Sequence, residues 1–287
     1  MTLVTLTDVL SPALAHGYAV AGVVCLGWED ARAYVAAAEA EKCPLILQAG
    51  PGCRAHTPLA VMAPMLLHLA TTASVPVVVH LDHGFAFDEI REAIDRGFTS
   101  VMFDGSHNGL SQNIDETAAV AALAHQAGIS CEGEVGVVGY ADGAGSTLTD
   151  PNDAAKFARD TGVDALAVSI GNLHLQHGPS LPLDEAALRA IEAITKIPLV
   201  IHGGSGVPED QRKALSRTSN ICKFNIGTEL RMVFGQALRL AVNADRNRFD
   251  RIALLRETHD PVVAATRRVL RSFGAPPQAG TFVDAAR

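Results

Sequence analysis

The sequence has no apolar run approaching the roughly 18 residues of a membrane span, and no basic segment followed by an apolar stretch opens it, so neither a membrane span nor export is expected. Its five cysteines (25, 43, 53, 131 and 222) form no CxxC pair and are odd in number, which argues against a disulfide framework and suits reduced, buried thiols in a cytoplasmic protein. Aromatic residues make up only 5% of the chain, so Ala, Val, Leu and Ile must build the core, as they do in α/β proteins. Positive charge is in deficit: 23 Lys and Arg against 31 Asp and Glu give −8, which disfavours a nucleic-acid or acidic-membrane surface. No Ser/Gly/Pro-rich linker or charge block divides the 287 residues, so a single domain over 1–287 is expected.

What is present is alternation. Short apolar runs at 18–25, 44–50, 77–83, 99–105, 129–138, 163–171, 197–204 and 219–227 read as strands. Helical patterns separate them at 29–42, 58–72, 87–96, 110–127, 151–161, 184–195 and 208–216, with a long helix after the last strand at about 228–243. Further helices are expected at 3–16 and 260–273, to cap the assembly or to contact a second copy. Eight strand–helix units over ~250 residues form the pattern of a closed (β/α)8 TIM barrel. An open doubly wound sheet would normally carry a glycine-rich turn after its first strand, and Ala21-Gly22-Val23-Val24 does not supply one.

In a barrel the chemistry sits at the carboxyl ends of the strands. The third strand, VVVHLDH at 77–83, ends in His80, Asp82 and His83, which read either as the start of a site or as a solvated strand-end cluster. The other strand ends decide between these. They supply Asp104, Glu132 and Glu134, His174, His202, and Asn225 to Thr228. Three imidazoles converging on one mouth, with a position left open, make a common catalytic zinc shell. Glu132 reads as a partner orienting a ligand, and Ser106 and His107 as residues shaping a turn beneath the site. His202-Gly203-Gly204-Ser205-Gly206 and Asn225-Ile226-Gly227-Thr228 fall after the seventh and eighth strands, where barrels commonly bind phosphate through glycine amides and a helix N-terminus.

These pieces also carry a resemblance. GYAV at 17–20, HLDH at 80–83, DGSH at 104–107, EGEVG at 132–136, LTDP at 148–151, TGVDALAVSIG at 161–171, HGGSG at 202–206 and NIGTEL at 225–230 are similar, in order and spacing, to the class II, metal-dependent ketose-bisphosphate aldolases. The resemblance implies reversible retro-aldol cleavage of a ketose phosphate, or a related ketose, to dihydroxyacetone phosphate or a similar ketone plus an aldehyde. It implies that His83, His174 and His202 hold Zn2+ or another divalent metal, and that Asp104 and Glu134 offer an alternative metal position. Asp82 matches the acid/base acting on the hydroxyl next to the broken bond. Gly203, Gly204, Ser205, Asn225, Gly227 and Thr228 match the cradle of the ketose 1-phosphate, where a monovalent cation (Na+ or K+) often assists. A homodimer or homotetramer is the family's usual assembly.

The chain departs from the family pattern where substrate is recognised. Val24 stands where the first strand normally ends in asparagine, and Gly50 stands for a hydroxyl residue. Leu175 replaces the glycine after the histidine of the sixth strand, and Val262 replaces the arginine of a C-terminal Asp-Pro-Arg. In the loop after the fifth strand, Asp142 stands for the glutamate that abstracts the enolisation proton, one methylene shorter. The metal shell is complete while the contacts for a second phosphate are reduced, so the expected substrate is not fructose 1,6-bisphosphate. Arg54, after the second strand, is the candidate to replace a lost contact. Two rivals are weaker. A non-catalytic aldolase-like subunit of a sugar-catabolic complex would be expected to lose the ligands or Asp82 first, and a zinc hydrolase usually carries HxH on its first strand, which is absent here.

Overall fold

A computed structural model of the chain describes residues 2–140, 143, 145–176, 182–276 and 279–281. Eight parallel strands close into a barrel in chain order: β1 (Val20–Val24), β2 (Leu45–Ala49), β3 (Val77–Gly84), β4 (Ser100–Phe103), β5 (Ser130–Val135), β6 (Ala165–Val168), β7 (Leu199–Ile201) and β8 (Ile221–Ile226), with β8 pairing back to β1. The strands are buried on both faces because each packs inward on the barrel axis and outward on helices. The (β/α)8 barrel expected from the alternation is the observed fold.

Helices α1 (Leu6–His16), α2 (Trp28–Glu41), α3 (Pro51–His56), α4 (Leu59–Thr72), α5 (Phe87–Asp95), α6 (Leu110–Gln126), α7 (Pro151–Thr161), α8 (Glu185–Ile194), α9 (Glu209–Thr218), α10 (Thr228–Ala244), α11 (Arg251–Arg256) and α12 (His259–Arg271) surround it. Two of these, α3 and α11, fall outside the expected elements. Each has six residues, too short for a hydrophobic period to show; α3 is opened by Pro51 in its first turn and α11 by the Asp250 cap.

The two additional helices both act as covers. Leu6, Val9, Leu10 and Ala13 of α1 are buried in one cluster with Val20, Ile46, Val78, Ala165 and Val200, so α1 plugs the amino-terminal end of the barrel. Thr5 caps α1 by accepting from the Asp8 amide, while the Asp8 carboxylate accepts from the Thr5 amide. Val262, Ala265, Val269 and Leu270 of α12 are buried, and Arg267 and Arg271 both bind Glu41 at the end of α2. With its lower end sealed, the barrel opens only at the carboxyl ends of its strands. Replacing Leu6 with Ala should cost about 2–5 kcal/mol in urea unfolding while leaving divalent-metal affinity unchanged. A matching loss of metal affinity would show that the plug and the site are coupled.

Candidate active site and metal centre

A cavity of about 280 Å³ lies at the carboxyl ends of the strands, lined by Asp82, His83, His174, Gly203, Ser205, Asn225, Gly227 and Thr228 together with Val24, Gly50, Leu175 and Arg231. Glycine at 204 does not face it: a Cβ there would meet the backbone oxygen of Asn225 at 3.0 Å and Phe224 Cβ at 3.2 Å, so Gly204 lets loop and strand β8 pack closely. Asp142 lies outside the described residues.

The three histidines converge. Ring centroids lie 4.6 Å apart for His83 and His202, 5.3 Å for His83 and His174, and 5.8 Å for His174 and His202. One ring nitrogen from each falls within 4.8 Å of the others, and so does a second group made by His83, Asp104 and Glu134. Both histidines with a carboxylate partner have one nitrogen fixed. His202 Nε2 donates to Glu132 Oε1 at 3.0 Å, which turns Nδ1 toward Glu134, and His83 Nδ1 donates to Asp104 Oδ2 at 2.7 Å, leaving Nε2. Asp104 is itself held by the amide and hydroxyl of Ser106. His202 Nδ1 and Glu134 Oε2 are buried 3.2 Å apart, yet neither makes a hydrogen bond among the described residues. A buried imidazole nitrogen and a buried carboxylate oxygen this close, with no hydrogen bond to either, inside a cluster of three histidines are a donor set that a divalent cation would satisfy, so the residues fit the metal.

Charge beneath the cavity explains the protonation states. Glu132 is fully buried and accepts from Lys223 Nζ at 2.6 Å as well as from His202. His80 does not enter the cavity; its Nδ1 pairs with Ser100 Oγ at 2.8 Å, and its Nε2 sits 3.5 Å from Lys223 Nζ. Burial and the Lys223 charge lower His80 to about 3, so it is a neutral part of the scaffold. Burial works against a charged His202, but the Glu132 and Glu134 carboxylates outweigh it and raise its pKa to about 10. Burial likewise opposes the charged form of His83, and Asp82 and Asp104 prevail in raising it. His174, without such a partner, is lowered to about 3 by burial and by its charged neighbours His202 and His83. Burial alone would raise Asp82, but His83 and His202 hold it below the usual carboxylate range, and Asn225 Nδ2 donates to its Oδ1 at 3.1 Å.

The glycine loop and the start of α10 meet at Ser205, whose Oγ accepts from the amides of Gly227 and Glu229 at 3.2 and 3.3 Å. Gly203 has φ +65°, and a Cβ there would lie 2.1 Å from the Leu173 oxygen, so only glycine fits. Arg231 was not anticipated. It stands three residues after Thr228, within the first helical turn, and its Nε is buried without a hydrogen-bond partner among the described residues. Tyr140, also unanticipated, packs its ring 4.9 Å from that of His174, and no local pattern marks it.

The departures are equally concrete. Val24 and Gly50 line the cavity without a polar side chain, and Val262 is buried in the core. Leu175 lines the cavity at φ +55°, in the left-handed region that glycine adopts without strain and leucine does not. Arg54 does not compensate. Its guanidinium donates to the backbone oxygens of Ala49, Asp82 and His83 and to Glu89, and it does not line the cavity.

Comparison with known proteins agrees with this fold. Residues 4–277 match the family described as "Fructose-bisphosphate aldolase class-II". The chain is 34% identical to a fructose-bisphosphate aldolase of Geobacillus stearothermophilus, covering 96% of this chain and 98% of the relative. It is 36% identical to a 6-phospho-5-dehydro-2-deoxy-D-gluconate aldolase of Shouchella clausii, covering 96% of each. Among solved structures, the YdjI aldolase from Escherichia coli K12 superimposes with a TM-score of 0.83 at 31% identity, over 95% of this chain and 97% of that one.

Because His202 and His83 favour the protonated form, a cation must displace protons to bind. Titrating zinc into metal-free protein should release at least one proton per site, and the logarithm of affinity should climb by about one per pH unit between about pH 6 and 9. Calorimetry in buffers of different ionisation enthalpy reads this directly; pH-independent binding would contradict the assignment of His202.

Proposed function

The chain belongs to the class II fructose-bisphosphate aldolase family, and on that premise we propose that its substrate is a ketose phosphate carrying its phosphate on the ketone half and no second phosphate on the aldehyde half. As a member of that family it is a carbon–carbon lyase that performs retro-aldol cleavage of a phosphosugar. The observation that carries the finer reading is the asymmetry of the cavity. One amide-rich cradle (Gly203, Ser205, Gly227, Thr228) and one arginine, Arg231, suit a single phosphate, whereas Val24, Gly50 and Val262 stand where polar contacts to another would be expected. A substrate with one phosphate is also what the name of the Shouchella clausii relative describes.

His83, His174 and His202 would hold the divalent cation, with Asp104 and Glu134 as the alternative set. When bound, such a cation supplies Lewis-acid polarisation of the ketone. The chain's own residues do the rest. Asp82, kept ionised by its histidine neighbours, takes the proton from the hydroxyl on the carbon beyond the scissile bond and returns it during condensation. Asn225 orients that carboxylate. The helix N-terminus at Thr228 anchors the phosphate end, so the ketone is presented to the histidines. Asp142 is the base proposed for the hydroxymethyl carbon, and a monovalent cation beside the cradle belongs to the same reading. Met232, Leu240, Phe249 and Ile252 on and between α10 and α11 are exposed apolar side chains, which supports a homodimer or homotetramer. No described helix is long and apolar enough to cross a membrane.

In D2O, the zinc-loaded protein should exchange one hydroxymethyl proton of dihydroxyacetone phosphate, followed by NMR, and His83→Ala and Asp142→Asn should abolish the exchange. Asp82→Asn should retain that exchange within a few-fold while losing cleavage by roughly 10²–10⁴. No exchange by the wild-type protein would return the chain to the non-catalytic reading. On cleavage, kcat/KM should be at least as high for fructose 1-phosphate as for fructose 1,6-bisphosphate. A tenfold preference for the bisphosphate would refute the single-phosphate site.

A further inference from the structure

Asp82 and His83 are consecutive on β3, and a regular strand would send them to opposite faces. Both line the cavity. The chain achieves this through a bulge: pairing with β4 runs from Leu81↔Val101 to Gly84↔Phe103, so Asp82 and His83 together oppose the single residue Met102. His83 turns into the left-handed region at φ +50° to bring its ring round. Such a backbone persists only when its surroundings over-determine it.

The bulge has a second cost. Pairing of β3 with β2 ends at Ala49↔Leu81, so the carbonyls of Asp82 and His83 emerge beyond that ladder. Arg54 meets both. From α3 its Nη1 donates to the Asp82 oxygen at 2.7 Å and also to the Ala49 oxygen, and its Nη2 donates to the His83 oxygen at 2.9 Å. Its Nε is held by Glu89 Oε1 at 2.7 Å, and Glu89 also reaches the Phe85 amide just past the bulge. The Arg54 side chain is 6% exposed, so these bonds form largely out of water, where they are strong.

We infer that Arg54 is a positioning residue: its guanidinium grips the carbonyls of Asp82 and His83 and so holds the proton-transfer carboxylate and a metal-binding imidazole on the same side of β3. The inference rests on the proposed reading of His83 as a metal ligand. The planar fork is what the task requires, because a lysine ammonium is a point donor that cannot span the three carbonyls in the same directions.

The test measures zinc affinity by competition with a chromophoric chelator, using wild type, Arg54→Ala and Arg54→Lys, each with the thermal midpoint of its metal-free form. Arg54→Ala should bind zinc about 10–100-fold more weakly while the metal-free midpoint stays within a few degrees of wild type, and millimolar guanidinium should restore part of the affinity. Arg54→Lys should remain weaker than wild type, and it carries the test if the alanine variant does not fold. Wild-type zinc affinity in the variant that folds would overturn the inference, as would a loss of affinity matched by a collapse of the metal-free midpoint and indifferent to guanidinium. Failure of the wild-type protein itself to bind zinc would instead overturn the reading of the metal site, and this inference with it.

Discussion

Burying an ionised carboxylate inside a barrel costs several kcal/mol unless a charge and hydrogen bonds meet it there. Glu132 is fully buried, and Lys223 from β8 and His202 from the end of β7 meet it at 2.6 and 3.0 Å. Because Lys223 meets its charge, Glu132 stays ionised and accepts the His202 Nε2 proton, which turns the His202 Nδ1 toward Glu134 Oε2, 3.2 Å away. The three residues behave as one unit, since removing any one strands a charge that the others were compensating. The orientation of the His202 imidazole is thus set by side chains of β5 and β8 that meet inside the barrel.

Regular strands can deliver only every second residue to the barrel interior, and the site exceeds that allowance. The chain departs from regular backbone where more groups are needed. His83, Gly203 and Leu175 all take positive φ, and all three line the cavity. The remainder of β1, β2, β5 and β6 pairs in unbroken register. Two of the three described non-glycine residues at positive φ, His83 and Leu175, thus lie at the cavity, and the strain at His83 is met by a specific clamp, Arg54.

How much of this could be read in the chain beforehand follows from which residues announce themselves locally. Buried parallel strands are continuous apolar runs, so all eight were visible, and a histidine or carboxylate ending such a run is conspicuous. That reasoning located His83, His174, His202, Asp82 and Asp104 at strand ends. Depth is less legible: His80, two residues before Asp82, lies lower in the barrel, beside Lys223 and paired with Ser100, and does not line the cavity. A bulge has no local signature, so the turn at His83 was invisible, and Arg54 was read as a ligand contact because its carbonyl partners belong to another part of the chain. Lys223 lay inside an apolar strand and acquires meaning only opposite Glu132, 91 residues away. Glycines at 203 and 204 looked equivalent in sequence, yet one needs positive φ at the cavity and the other makes room for β8.

The electrostatic balance of the site explains how a protein of net charge −8 can hold an anionic substrate over a cluster of acids. Asp82, Asp104, Glu132 and Glu134 bring four negative charges close together, and Lys223 offsets one. In the metal-free protein His202, raised to about 10, and His83, also raised, favour their protonated forms and offset two more. A divalent cation that displaces those two protons replaces two charges with two. Three of the four carboxylate charges are thus met before metal arrives, and a divalent cation in place of those two protons would exchange mobile charge for fixed charge. On the proposed reading the phosphate cradle stands outside this account, because backbone amides, a helix N-terminus and Arg231 would attract the anion without drawing on the charge that holds the acids together.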